Sequence, residues 1–158
     1  FTAKEGPDGG KATFSAVFLL DKKRNADDIR TIQQRIAQVI KEGLKGKHPG
    51  ADRICLRDGS TKPDTDGYGD EVMFISARNE KRPGVVDQQL SPLTAEDGKP
   101  YAGCYVYATL RLWAQDNKFG KRVNASLRNV QFVKDGEPFG EKPVAPEDDF
   151  EPVDENLV

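Results

Sequence analysis

The chain is poor in the residues that carry most enzyme chemistry. Its 158 residues include two cysteines, one histidine, one tryptophan and one methionine. Cys55 and Cys104 lie far apart with no CxxC pairing, so they read as reduced thiols of a cytoplasmic protein rather than as a disulfide. His48 sits alone in the basic turn KGKHPG. There is also no GxSxG elbow and no glycine-rich phosphate loop leading into a helix, so nucleophilic catalysis has little support. No run approaches the roughly eighteen apolar residues that a membrane helix needs. The opening FTAKEGPDGG lacks the apolar core of a signal peptide, and a start without Met suggests a processed or trimmed chain. With 36% hydrophobic against 32% charged residues, the length suits one domain with a modest core.

Carboxylates are plentiful, and one acidic loop, DTDGYGDE, invites a metal reading. Counted from Asp64, an EF-hand would need an oxygen ligand at the fifth position and a Glu at the twelfth. Tyr68 and Ile75 stand there, so the match fails. A nuclease-like set of Asp66, Asp70 and Glu71 is the enzymatic alternative; solvated turn acids are the plainer one. No catalytic residue, metal or cofactor is expected.

The net charge of −2 hides an asymmetry. From Glu141 to Val158 there is one lysine against seven acids, a net −6; the rest has 23 cations against 19 acids, a net +4. Residues 1–140 are therefore expected to form a mildly basic binding domain, and 141–158 an acidic flexible tail rich in proline.

Periodicity sets the elements. KATFSAVFLL (Lys11 to Leu20) reads as a strand. Asn25 is placed to cap a helix, Asp27 and Asp28 suit its positive end, and Ile29, Ile32, Ile36, Val39 and Ile40 follow at helical spacing until Gly43 or Gly46 stops it. A short strand is expected around Ile54 to Arg57, a strand from Glu71 to Asn79, and an edge piece at VVDQQL. Two long strands, Tyr101 to Gln115 and Lys121 to Lys134, form a hairpin through DNKFG. Mainly β with one long helix, without βαβ alternation, this pattern favours a five-stranded antiparallel barrel of OB type; a general α+β antiparallel sheet is the alternative.

The hairpin is the most informative segment. In YVYATLRLW one row is Val106, Ala108, Leu110 and Leu112, a core face. The other carries Tyr105, Tyr107, Arg111 and Trp113, spaced about 7 Å apart along the strand. Bases of an extended single strand can stack on such rings while cations hold the phosphates. The tip adds Phe119 among Lys118, Lys121 and Arg122, and the return strand puts Arg122, Asn124, Ser126 and Arg128 on one face. Lys81 and Arg82 extend the basic track. The competing reading is a second small core under the helix, and Trp113 alone suits burial as well as binding. After Leu127 the apolar parity switches to Val130 and Phe132, which predicts a β-bulge or bend between Leu127 and Val130.

Two blocks, YVYATLRLWAQDNKFGKRVNASLRNVQFVKDGEPFG and EVMFISARNEKRPGVVD, resemble the single-stranded-DNA-binding proteins of tailed bacteriophages, of the Enterobacter-phage type. The resemblance covers about a third of the chain. It implies an OB fold, sequence-independent binding of single-stranded DNA, a role in phage replication or recombination in the cytoplasm of the infected host, and an acidic C-terminal tail. Stacking is then assigned to Tyr105, Tyr107, Trp113 and Phe119, and phosphate contacts to Arg111, Lys121, Arg122, Arg128, Lys81 and Arg82. In the tail, Asp148, Asp149, Phe150, Glu151, Asp154 and Glu155 can imitate a nucleic acid strand or dock on basic replication or recombination partners. No membrane partner is expected, and the protein is expected to be a monomer or homodimer. A metal-dependent nuclease and a protein-binding adaptor using the same aromatic face are the rival functions.

Overall fold

Among the described residues, six strands and one long helix take up the alternating and helical patterns of the sequence. The computed structural model describes residues 11–139. In chain order they form β1 (Phe14–Asp21), α1 (Ala26–Gly43), β2 (Leu56–Asp58), β3 (Val72–Asn79), β4 (Gly84–Val86), β5 (Tyr105–Asn117) and β6 (Gly120–Lys134). The mainly-β class with one long helix is as the sequence indicates. The sheet departs from five antiparallel strands, having six with two parallel pairings. Parallel neighbours are far apart in sequence and joined by long connections, so no turn signal announces them.

β6 organises the sheet. β5 runs antiparallel along one of its edges from Asn117↔Gly120 to Tyr105↔Lys134. The opposite edge meets, in succession, the bridge Ile54↔Val123, then β3 at Arg78↔Ser126, then β4 at Gly84↔Asn129. β1 and β2 both pair antiparallel with β3.

The core lies between one face of this sheet and α1. Ile36, Val39 and Ile40 of the helix pack with Ile75, Ala77, Val123, Ala125, Leu127 and Val130, and Val106, Leu110, Leu112 and Ala114 join them. Ile75, Leu127 and Val123 are almost wholly buried, each contributing roughly 1.5–3 kcal/mol relative to exposure. Asp27 and Asp28 occupy the first turn of the helix. Asn25 holds the N-cap position but its side chain turns backward, its Oδ1 accepting from the Asp21 amide at 3.0 Å. The strand-to-helix turn therefore uses the amide that sequence reasoning gives to the helix. At the other end Gly46, at φ 77°, ends the helix with its amide donating to the Ile40 carbonyl. A Cβ on Gly43 would stand 2.5 Å from that of Ala114, so the last helical turn lies directly on β5.

The expected bulge is present. Leu110 pairs with Leu127 and Thr109 with Asn129, leaving Arg128 as the extra residue. Val123, Ala125 and Leu127 before it and Val130 and Phe132 after it are all buried. One inserted residue reconciles two opposite parities with a single core face. A second register shift near the strand end leaves Val133 extra. No helix among the described residues is long and apolar enough to cross a membrane.

Candidate nucleic-acid interface

Because α1 covers the even-numbered row of β5, the odd-numbered row faces away from it. Tyr105, Tyr107, Trp113 and Phe119 are exposed large aromatics. Trp113 retains 38% of its surface, so the second core under the helix does not form. Cross-strand partners share a face, which makes the outer surface readable from the register. Trp113 stands beside Asn124, Arg111 beside Ser126, and Tyr107 beside Gln131. Ser126 in turn adjoins Arg78, whose partner is Ser15. One transverse row of the sheet is therefore Ser15, Arg78, Ser126 and Arg111.

Two of the exposed rings carry a cation from their own chain. The Lys134 ammonium lies 4.7 Å from the Tyr105 ring centre and that of Lys118 lies 5.1 Å from Phe119. At the tip, the Asn117 carboxamide oxygen accepts from the Phe119 amide at 2.9 Å, and Gly120 takes φ 103°, which fixes how Phe119 projects.

The other sequence-predicted cations divide into groups. Arg111 and Arg122 are exposed on the outer face. Arg128 is the exposed bulge residue. The Lys81–Arg82 turn lies beside it, because Asn79 both accepts from the Lys81 amide and donates to the Leu127 carbonyl. Lys121 is not brought to the row. It pairs with Asp116 in register, on the same side as Val123, and its Nζ lies 3.1 Å from each oxygen of that carboxylate. Parity along β6 already assigns it to that face. The tail residues Asp148, Asp149, Phe150, Glu151, Asp154 and Glu155 lie outside the described residues.

Arg53, Arg57 and Arg78 are not singled out by the sequence. They line an open cleft on the outer face together with Arg122, Ser76 and Asn124. Alternation along EVMFISARN could have found Arg78, since Ser76 and Arg78 oppose Ile75 and Ala77. Arg53 and Arg57 reach the cleft only through pairings that no local pattern reveals.

The acidic loop does something else. Tyr68 packs edge-on against Phe74 with ring centres 5.1 Å apart, and the Lys62 ammonium lies 5.2 Å from Phe74. Asp70 and Glu71 line a shallow cleft with Asp21, Lys22 and Lys23. Among the described residues no group of three His, Cys, Asp or Glu side chains is placed to hold a metal ion. Both cysteines are free. Burial pushes the Cys55 thiol up to about 11, and Cys104 is shifted in the same direction by burial.

An open sheet face bearing spaced rings, with guanidinium groups between and beside them, defines a surface of the nucleic-acid-binding class. Over residues 1–158 the chain matches the family described as "Enterobacter phage Enc34, ssDNA-binding protein", and it belongs to that family. Protein p50 of Acyrthosiphon pisum secondary endosymbiont phage 1 is 42% identical over 151 residues, covering 90% of this chain and 80% of that protein. The single-stranded DNA-binding protein from bacteriophage Enc34, solved in complex with ssDNA, is 30% identical at a TM-score of 0.78, covering 87% of this chain and 80% of that one. Its C-terminal truncation gives 30% identity and a TM-score of 0.77, over 87% and 79%.

Proposed function

We propose that this protein binds single-stranded DNA without sequence preference and acts in phage DNA replication or recombination within the cytoplasm of the infected host. The observation that carries the reading is the row of exposed rings on β5, set opposite the helix-packed face and flanked by Arg111 and Arg122. It is supported by membership of a family named for ssDNA binding. Each base stacked on Tyr105, Tyr107, Trp113 or Phe119 contributes about 1–3 kcal/mol, largely regardless of identity. Arg111, Arg122, Arg128, Lys81 and Arg82 serve the phosphates, an OB-type sheet being the platform. The role is binding rather than catalysis. The acidic residues from 141 onward compete with DNA for the basic face or recruit basic partners, so a chain ending near Phe139 should bind single strands more tightly.

Titration of Trp113 fluorescence with oligo-dT tests the reading. Strong quenching, with affinity falling as salt rises, is the expected result. An unchanged emission spectrum would favour a protein-binding adaptor, and degradation of labelled single strands in Mg²⁺ or Mn²⁺ would favour a nuclease.

A further inference from the structure

Across the sheet from the aromatic row is a cleft of about 340 Å³, within the size range of ligand sites. Its lining includes four arginines, Arg53, Arg57, Arg78 and Arg122, against the single acid Asp52. Among the described residues none of the four arginines is ion-paired, whereas Lys22, Arg30 and Lys121 are. Arg53 lies over Gly120 at the hairpin tip, where a Cβ would collide with its Nη1. Arg57 lies at the other end, its guanidinium 5.1 Å from the Phe74 ring centre. Its Nε is buried with no hydrogen-bond partner. A buried N–H without an acceptor is costly, and this one borders a cleft whose charge suits an anion.

We propose that the strand stacked on Trp113 continues across β6 and β3 into this cleft, its phosphodiester oxygens held by Arg122, Arg53, Arg78 and finally Arg57. The register supports a transverse path, because Arg111, Ser126, Arg78 and Ser15 are successive neighbours across four strands. The Ser76 hydroxyl on the cleft wall offers an uncharged donor suited to a backbone read without regard to sequence, while the Asn124 amide beside it donates to Gln115 at 2.8 Å. The cleft thus binds sugar-phosphate while the hairpin takes the bases. This rests on the single-strand reading above and deepens it.

The test uses the full chain and two oligo-dT lengths, about 4 and about 16 nucleotides, which bracket the range for one such fold. The variant Arg57→Gln/Arg78→Gln should keep Trp113 quenching by the short oligomer. With the long one its log–log salt slope should be shallower by about 1.4, or about 0.7 for each phosphate lost. Arg53→Gln, at an exposed position, should remove about 0.7 and keeps the test valid if the double variant does not fold. Unchanged slopes with quenching intact would overturn the cleft while leaving the hairpin reading standing. Absence of quenching in the unaltered protein with either length would overturn both.

Discussion

The two halves of β6 make opposite use of the same backbone. Between Gly120 and Leu127 the odd-numbered residues enter the core, and beyond Arg128 the even-numbered ones do. The tip half adjoins Ile54 and β3 and carries Arg122 on its outer face; the base half adjoins β4 and lies beside Tyr105 and Tyr107. Without the inserted residue, a single strand could not keep one face apolar while passing from one neighbour to the next. The bulge thus keeps both halves of β6 paired with the unbroken alternation of β5, with one shared apolar face.

Deleting Arg128 should break this arrangement most severely. Val130 and Phe132 would turn to solvent, costing roughly 3–6 kcal/mol in lost burial, against a total stability of about 5–15 kcal/mol for a domain. The expected result is loss of the cooperative thermal transition, with Arg128→Gly retaining it. Next in size, Trp113→Ala in the tip half should weaken oligo-dT binding by about 1–3 kcal/mol, read by anisotropy of labelled DNA. Its melting temperature should stay nearly unchanged, because this side chain is outside the core cluster. A smaller contrast separates adjacent residues. Arg122→Ala should reduce the log–log salt slope by about 0.7, whereas Lys121→Ala, already paired with Asp116 on the other side of the strand, should leave it unchanged. The smallest effect is a difference in rate. Cys55 donates its amide to the Val123 carbonyl in the tip half, and Cys104 immediately precedes β5 beside the base half. In native protein a thiol reagent should label half-buried Cys104 first. Cys55, which is buried and whose thiol that burial pushes up to about 11, should wait for local opening. Equal rates would mean that the two halves open together.

Much of this fold is legible in the sequence, and the reason is local. The hairpin, α1 and the Leu127 bulge each follow from periodicity within one segment, and the exposed row was set by alternation alone. What escaped reading depends on contacts between distant segments. The parallel approaches of β3 and β4 to β6 have no turn to mark them, so Arg78 could be assigned to a face but not to a neighbour. Arg53 and Arg57 lie in short turns and strands whose sequence says only that they are polar. Asn25 shows the same limit on a small scale, since its position was correct while its hydrogen bond went to Asp21. Lys121 differs in kind: parity puts it on the Val123 side of β6, where it pairs with Asp116, although the chain sets it close to Phe119.

The ammonium groups over Tyr105 and Phe119 change what arrival of a base means. Under the stacking proposed above, a base approaching either ring would substitute for a cation already seated there rather than cover bare hydrocarbon. The displaced lysine would then be released next to the incoming backbone, so that one event would exchange the ring's partner and supply a counter-charge. In the free protein the same lysines shield greasy surface that could otherwise draw copies of the chain together.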